Sequence, residues 1–92
     1  MKSVLQSEKE CWVCRTTLNL EDHHIIYGWA NRRLSEKYGL KVWLCHEHHT
    51  GNTGVHSNQK LNKDLRKLAQ TYFEEHYGTR EDFMRIFGEN YL

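Results

Sequence analysis

The C-terminal third of the chain carries apolar side chains at the spacing of one helical face. Between residues 61 and 76 they recur at three- and four-residue intervals, which predicts a long amphipathic helix. The residues of this stripe are Leu61, Leu65, Leu68, Ala69, Tyr72, Phe73 and His76. Residues 79–82 then resemble a capping box, with Asp82 in the position usually taken by Glu or Gln. They predict a short second helix closed by Gly88, whose inward-facing residues are Phe83, Ile86 and Phe87.

Two short apolar segments in the first half of the chain predict strands. Residues 23–27 form one, bounded by Gly28, and residues 40–44 form the other, which we expect to pair with the first in an antiparallel hairpin. Residues 29–38 predict an irregular loop with one helical turn, capped by Gly39. The polar residues 1–10 predict a frayed or short helical lead-in. The expected fold is therefore α+β: a two-stranded antiparallel hairpin, a long helix and a short C-terminal helix.

The composition indicates one small domain spanning residues 1–92, with a core in residues 11–60 and helices in 61–92. At 92 residues and 38% hydrophobic content, apolar burial alone gives a marginal core, so a structural metal would contribute to stability. Three cysteines cannot form a complete disulfide framework, which favours thiolate metal ligands in a reducing cytoplasm. No stretch approaches the roughly 20 apolar residues of a membrane span, and no signal peptide is visible, so we expect no membrane partner.

The net charge of +1 is too small to indicate nucleic-acid binding by itself. Its distribution is uneven: residues 1–67 hold eleven Lys/Arg against seven Asp/Glu, or +4, and residues 68–92 hold two against five, or −3. The basic half is compatible with a phosphate-backbone contact surface, although charge alone favours an ordinary solvated surface. The candidate contacts are Arg32, Arg33, Lys60 and Lys63.

Two pairs of metal donors occur at matching two-residue gaps, C-x-x-C and C-x-x-H, with thirty residues between them. Such paired turns predict a tetrahedral structural zinc site. The donors are Cys11, Cys14, Cys45 and His48. His46 or His49 could replace His48, although neither reproduces the spacing. The alternatives are a thioredoxin-like redox pair, which needs a βαβ unit that is not predicted here, and free buried cysteines beside surface histidines.

Of the histidines outside that site, four are expected to lie near it, namely His23, His24, His49 and His56, and the first two are adjacent. Because neighbouring side chains of a strand point to opposite faces, His23 and His24 should have different roles. With the paired cysteine turns, the chain resembles the HNH endonucleases, also called ββα-metal or His-Me finger nucleases. The resemblance covers residues 11 to about 60, and other segments resemble small phage- and prophage-encoded members. It rests on Cys11-x-x-Cys14, Asp22-His23-His24-Ile25-Ile26, Leu44-Cys45-x-x-His48-His49 and His56.

The resemblance implies a metal-dependent endonuclease that hydrolyses DNA phosphodiesters and is encoded by a bacteriophage. It implies that His24 is the general base, and that His23, His49 and His56 hold Mg²⁺ or another divalent transition metal beside the structural Zn²⁺. The family's central asparagine has no counterpart before the second cysteine turn. The alternatives are a zinc-stapled module that binds nucleic acid or a phage or host protein without cutting it, and a redox or metal sensor. His24 could instead be a hydrogen-bonded strand histidine, and His56 could cap a helix.

The three tryptophans have two interpretations. We expect Trp12, Trp29 and Trp43 to lie in the core and cover the cysteine turns. Alternatively, Trp29 and Tyr27 stack or wedge against nucleic acid.

Overall fold

Two antiparallel strands and four helices make up residues 2–92, the part of the chain that the computed structural model describes. In chain order they are β1 (Leu20–His24), α1 (Asn31–Tyr38), β2 (Lys41–Cys45), α2 (His46–His49), α3 (Gln59–His76) and α4 (Arg80–Phe87). The predicted α+β class, the antiparallel hairpin and the two C-terminal helices are confirmed. Among residues 2–92 no helix is long and apolar enough to cross a membrane.

The first strand begins earlier than the sequence predicts. It pairs Leu20 with Cys45 and His24 with Lys41, whereas residues 23–27 were predicted as the strand. Pairing within β1 ends at His24, where the chain turns into the core. Ile26 is fully buried, but its N–H donates to the Ser35 hydroxyl at 3.2 Å, and that hydroxyl donates to the Ile26 carbonyl at 2.6 Å. A side chain of α1 thus takes the place of a strand partner.

Helix α1 corrects the prediction of an irregular loop in residues 29–38. Its eight residues form a regular helix whose Ser35 is fully buried. Gly39 ends it with φ 69, as predicted, in the left-handed conformation that favours glycine. A Cβ at Gly39 would also lie 2.7 Å from the Lys2 carbonyl oxygen, so a side chain there would displace the N-terminal segment.

The N-terminal segment is neither frayed nor helical, which corrects the second prediction about backbone structure. Met1 lies outside the described residues, but residues 2–10 run along β2. The Val4 N–H donates to the Gly39 carbonyl at 3.0 Å, and the Ser3 hydroxyl donates to the Lys41 carbonyl. The Trp43 N–H donates to the Gln6 side chain at 2.8 Å. These bonds cover backbone groups on the outer edge of the two-stranded sheet.

Helices α3 and α4 close the core over the hairpin. Asn58 caps α3 by accepting from the Leu61 N–H, and Thr79 with Asp82 forms the predicted capping box of α4. Phe83 and Phe87 are buried as predicted, while Ile86 is only partly buried. The fully or nearly fully buried apolar residues include Ile25, Ile26, Leu40, Val42, Leu44, Val55, Leu65, Ala69, Phe73, Phe83 and Phe87.

Candidate metal centres

The sheet brings the two cysteine turns together. The first turn docks on β2 because the Trp12 N–H donates to the Trp43 carbonyl at 2.8 Å, and the Cys11 N–H closes the turn on the Thr16 carbonyl at 2.8 Å. Cys45 is the last residue of β2 and is followed directly by α2. Two segments thirty residues apart in sequence therefore meet at one end of the hairpin.

The four predicted zinc donors form one group, with one donor atom of each within 4.8 Å of all the others. The Cys14 and Cys45 sulfurs are 3.8 Å apart, and His48 Nδ1 lies 3.2 Å from the Cys45 sulfur and 3.6 Å from the Cys11 sulfur. Tetrahedral zinc, with bonds of about 2.3 Å to sulfur and 2.0 Å to nitrogen, requires donor separations of roughly 3.5–3.8 Å. The group can therefore hold a metal ion such as zinc. His48, rather than His46 or His49, supplies the imidazole.

The environment of Cys11 favours its thiolate. Burial raises the pKa of this thiol, but hydrogen bonds from the backbone of Cys14, Cys45 and Val13 outweigh burial and lower the pKa from 9.0 to about 6. The pKa of Cys45 is raised instead. A hydrogen bond with the His48 backbone lowers it, but burial and the sulfurs of Cys11 and Cys14 together raise it by more. Crowded sulfurs cannot all ionise without a cation between them, so metal binding would release protons.

A second group consists of three imidazoles from three different segments. His23 comes from the middle of β1, His49 from the end of α2 and His56 from the loop before α3. Their ring centroids lie 5.1, 5.6 and 5.2 Å apart for the pairs His23–His49, His23–His56 and His49–His56. One ring nitrogen of each lies within 4.8 Å of the others, so these residues can also hold a metal ion.

The innermost imidazole of this group has an unused donor atom. His23 is only 2% exposed, and its Nε2 is buried without a hydrogen-bond partner among residues 2–92. Burial lowers the pKa of His23 from 6.5 to about 3, with the neighbouring His49 and His56 acting in the same direction. A neutral, buried and unpartnered nitrogen between two other imidazoles is the form in which histidine binds a metal.

Glu21 is a residue of this group that the sequence analysis missed. Its Oε1 lies 2.6 Å from His49 Nδ1, which leaves His49 Nε2 available, and its Oε2 lies 3.0 Å from His46 Nδ1. These hydrogen bonds from His46 and His49 lower the pKa of Glu21. A carboxylate that holds the second nitrogen of a metal-binding imidazole is a common outer contact of metal sites. The two-residue period of a strand could have identified Glu21 from the sequence, because it lies two residues before His23 on the same face.

His24 faces the other side of β1, as the strand geometry predicts. Its Nε2 lies 3.2 Å from Glu36 Oε1 on α1. Lys41 Nζ lies 3.0 Å from both Glu36 oxygens and 3.1 Å from Asp22 Oδ2. Asp22, His24 and Glu36 are themselves close enough to hold a cation, but the Lys41 ammonium already lies among the two carboxylates.

A groove of about 280 Å³ joins these two sides of the strand. His24 lines it together with His23, His49, His56, Tyr27 and Arg32. Tyr27 packs on His23 and His56 at centroid distances of 5.9 and 5.1 Å. The Arg66 guanidinium, whose role the sequence did not indicate, lies 4.8 Å from the Tyr27 ring and 5.0 Å from the Tyr91 ring. The groove is thus small and lined by imidazole, phenol and guanidinium groups, and the guanidinium of Arg66 lies beside it.

The four predicted nucleic-acid contacts are not placed alike. Arg32 lines the groove just described, which we call the imidazole groove. Arg33 lies beside it on the first turn of α1. Lys60 is on α3 and pairs with Asp64 at 2.7 Å, and Lys63 is exposed on the same helix. His76 is also exposed and stacks on Tyr72 at 4.1 Å, which agrees with packing rather than chemistry.

The fold and these groups define the chain as a small α+β domain in which a Cys₃His group can hold a metal ion, with a His₃ group beside it. No family model, curated protein or solved structure matches the chain.

Proposed function

We propose that the chain is a metal-dependent endonuclease of the HNH class that hydrolyses DNA phosphodiester bonds. One observation carries the proposal: the buried, unpartnered Nε2 of His23 lies among three imidazoles in the same groove as His24. In a strand–strand–helix arrangement beside a Cys₃His group, this combination matches the roles that the sequence resemblance implies. The phage origin and the DNA partner belong to the same proposal.

The Cys₃His group is proposed to bind zinc with a structural role. All four donors are protein side chains, so the tetrahedral site is closed to substrate, as structural zinc sites are. It ties the first turn to the end of β2 and the start of α2. This connection fixes the position of His49, which directly follows the ligand His48.

His23, His49 and His56 are proposed to hold the second cation. Three imidazoles without a carboxylate ligand favour a transition ion over Mg²⁺, which prefers oxygen donors. A divalent cation bound there would supply Lewis-acid stabilisation of the charge that develops on the scissile phosphate and the leaving oxygen. Glu21 orients His49 so that its Nε2 faces the group, and burial keeps His23 neutral and able to donate its lone pair.

His24 is proposed to accept the proton of the attacking water. The Glu36 carboxylate at its Nε2 favours the tautomer with the proton on that nitrogen, which leaves the lone pair on Nδ1. Glu36 is held in turn by Lys41, so the imidazole is oriented from α1 while it lines the groove from β1.

A plasmid-nicking assay tests this function. The purified chain is incubated with supercoiled DNA and Mg²⁺, Mn²⁺, Ni²⁺ or Zn²⁺ in turn, and we expect nicking with at least one transition ion. His24→Ala should reduce the rate by about 10²-fold or more, since a general base contributes roughly 10²–10⁴-fold. His76→Ala, an exposed histidine on α3, is the matched control and should leave the rate unchanged.

Elemental analysis and circular dichroism of the same variants complete the test. Zinc content and helicity should be equal in the unchanged chain, His24→Ala and His76→Ala. Nicking that survives His24→Ala would show that His24 is not the base. If no cation supports cleavage but the chain still binds DNA, the second candidate applies, namely a zinc-stapled binding module, which the exposed basic first turn of α1 favours.

A further inference from the structure

Trp29 is fully exposed, which corrects the prediction that all three tryptophans belong to the core. Its exposed fraction is 101%, whereas Trp12 and Trp43 are partly buried near the cysteine turns. Gly28, with φ 113, turns the chain between β1 and α1 so that the indole points away from the body of the domain. An indole is the largest apolar side chain, and leaving it entirely in water gives up the free energy of burying it.

The first turn of α1 is basic, although a helix N-terminus disfavours positive charge. Arg32 and Arg33 lie in this turn, no acidic residue accompanies them, and Ala30 offers no side-chain cap. Among residues 2–92 neither arginine forms an ion pair. The helix dipole and both guanidinium groups therefore all add positive potential at this turn. Each of the three would favour an anion bound there.

Trp29 and the two arginines lie on a path into the imidazole groove. With His24 and Glu36 they line a shallow groove of about 330 Å³. His24 and Arg32 also line the imidazole groove, so the two are continuous. Glu36, the acidic member, is already engaged by His24 and Lys41. A chain of phosphates that passes His24 would thus meet Arg32, Arg33 and then the indole.

We propose that Trp29 stacks on an unpaired base while Arg32 and Arg33 contact adjoining phosphates, so that the preferred ligand is single-stranded or locally unpaired DNA. The inference rests on the proposed nuclease function and names its substrate class. To stack on DNA, an indole must reach the flat face of a base. In a duplex those faces are covered by neighbouring base pairs. Guanidinium groups suit the phosphates of either strand form and carry no preference by themselves. Trp29 is therefore the residue that distinguishes single-stranded from duplex DNA.

Fluorescence anisotropy with a labelled single-stranded oligodeoxynucleotide and its duplex tests the proposal. All proteins carry His24→Ala, so that binding is measured without cleavage. Trp29→Ala should weaken single-strand binding by about fivefold or more, in line with the loss of one base stack, and duplex binding by less than about twofold. Trp29→Phe should retain most of the affinity because it keeps an aromatic face.

Leu18→Ala is the matched control, since Leu18 is 70% exposed and precedes β1 at the end opposite His24. It should leave both affinities unchanged. Tryptophan fluorescence gives a second readout: the oligonucleotide should quench it in the Trp29-containing protein, and the quenching should be largely absent in Trp29→Phe. Equal losses for both DNA forms, or no loss in Trp29→Ala, would overturn the stacking proposal. A protein ligand for this surface would give that second result.

The two proposals fail in different ways. Cleavage that depends on His24 together with unchanged binding by Trp29→Ala would overturn the stacking proposal alone. Binding that depends on Trp29, with no cleavage by the His24-containing chain under any cation, would overturn the nuclease proposal and leave a single-strand binding surface. If the chain neither binds nor cleaves DNA, both proposals are wrong.

Discussion

Neighbouring residues of β1 have different surroundings because successive side chains of a strand point to opposite faces. Glu21 and His23 face α2, where they meet His49, whereas Asp22 and His24 face α1 and Lys41. Two adjacent histidines therefore have different surroundings. His23 is buried and its Nε2 has no hydrogen-bond partner within the described residues 2–92, whereas His24 pairs with a carboxylate. The one-residue offset separates a candidate metal donor from a candidate base.

His23 should make the stability of the domain depend on pH between 7 and 5. In the unfolded chain it takes up a proton near pH 6.5, whereas burial lowers its pKa to about 3 in the folded chain. Below pH 6.5 only the unfolded state binds this proton, so acid favours unfolding. Between pH 7 and 5 the free energy of unfolding should fall by about 2 kcal/mol from this group. Urea titrations with the structural metal bound and no other divalent cation added measure it.

His23→Leu is the comparison for that measurement, because it keeps an apolar side chain of similar volume without a titrating group. The proton linkage of the other histidines and the cysteines is common to both proteins and cancels in the difference. His23→Leu should therefore lose less stability on acidification than the unchanged chain. Parallel pH profiles for the two proteins would mean that folded His23 accepts a proton as an ordinary histidine does.

Helix α1 shows how an element can depend on one buried contact. Its sequence is compatible with a helix, but it predicted only one helical turn in an irregular loop, ending at Gly39, and not the full length of the helix. The Ser35 hydroxyl bonds both backbone groups of Ile26 at the point where β1 leaves the sheet. This contact holds α1 against the hairpin and places Glu36, the next residue, beside His24.

Ser35→Ala should destabilise the domain by about 1–3 kcal/mol, the usual cost of leaving a buried polar group without its partner. Here both the N–H and the carbonyl of Ile26 lose the hydroxyl. Ser57→Ala, an exposed serine in the loop before α3, is the control and should change the stability by less than about 0.5 kcal/mol. Thermal or urea unfolding measures both, and equal effects would show that the Ser35 bonds contribute nothing.

At the scale of the whole molecule, the Cys₃His group joins elements that are distant in sequence. Among residues 2–92 the sheet has two strands, and a two-stranded sheet is marginal alone in water. The four donors join the first turn, β2 and α2, and through the sheet they set β1 opposite α2. The His₃ group exists only when these elements are held together.

If the Cys₃His group holds a structural zinc as proposed, removing that ion should unfold the domain. Structural zinc contributes on the order of 10–16 kcal/mol in small zinc-dependent folds, as much as or more than the 5–15 kcal/mol total stability of a typical domain. A strong chelator should abolish most of the helical circular dichroism signal, and added zinc should restore it. If the signal persists after zinc is removed, the core alone is sufficient.

The same measurement distinguishes the neighbouring histidines of α2. His48→Ala removes a donor that lies 3.2 Å from the Cys45 sulfur, and it should lower zinc content and thermal stability sharply. His46→Ala is the matched control, because His46 is exposed and bonds to Glu21 rather than to the cysteines. Equal zinc loss in both variants would mean that the structure assigns the wrong imidazole.

Local patterns in the sequence determined the two C-terminal helices, the capping box, the hairpin and the four clustered donors. Each helix, strand and donor pair depends on the periodicity of a single segment or on fixed spacing within a turn, so neighbouring residues suffice to predict it. The pairing of the strands and the meeting of the two turns follow from matching these local elements to each other. The grouping of His23, His49 and His56 was implied by resemblance, and the structure brings these side chains together.

Only the tertiary structure decided the bounds of β1, the regular helix α1, the path of residues 2–10 and the exposure of Trp29. In each case the outcome depends on a partner far along the chain: Ser35 for Ile26, the Gly39 carbonyl for Val4, and for Trp29 the absence of any covering element among the described residues. The contacts of Glu36 with His24 and Lys41 likewise could not be predicted from the sequence. The spacing of residues within one segment does not predict hydrogen bonds or burial between residues far apart in the chain. These contacts form only when the elements pack against each other.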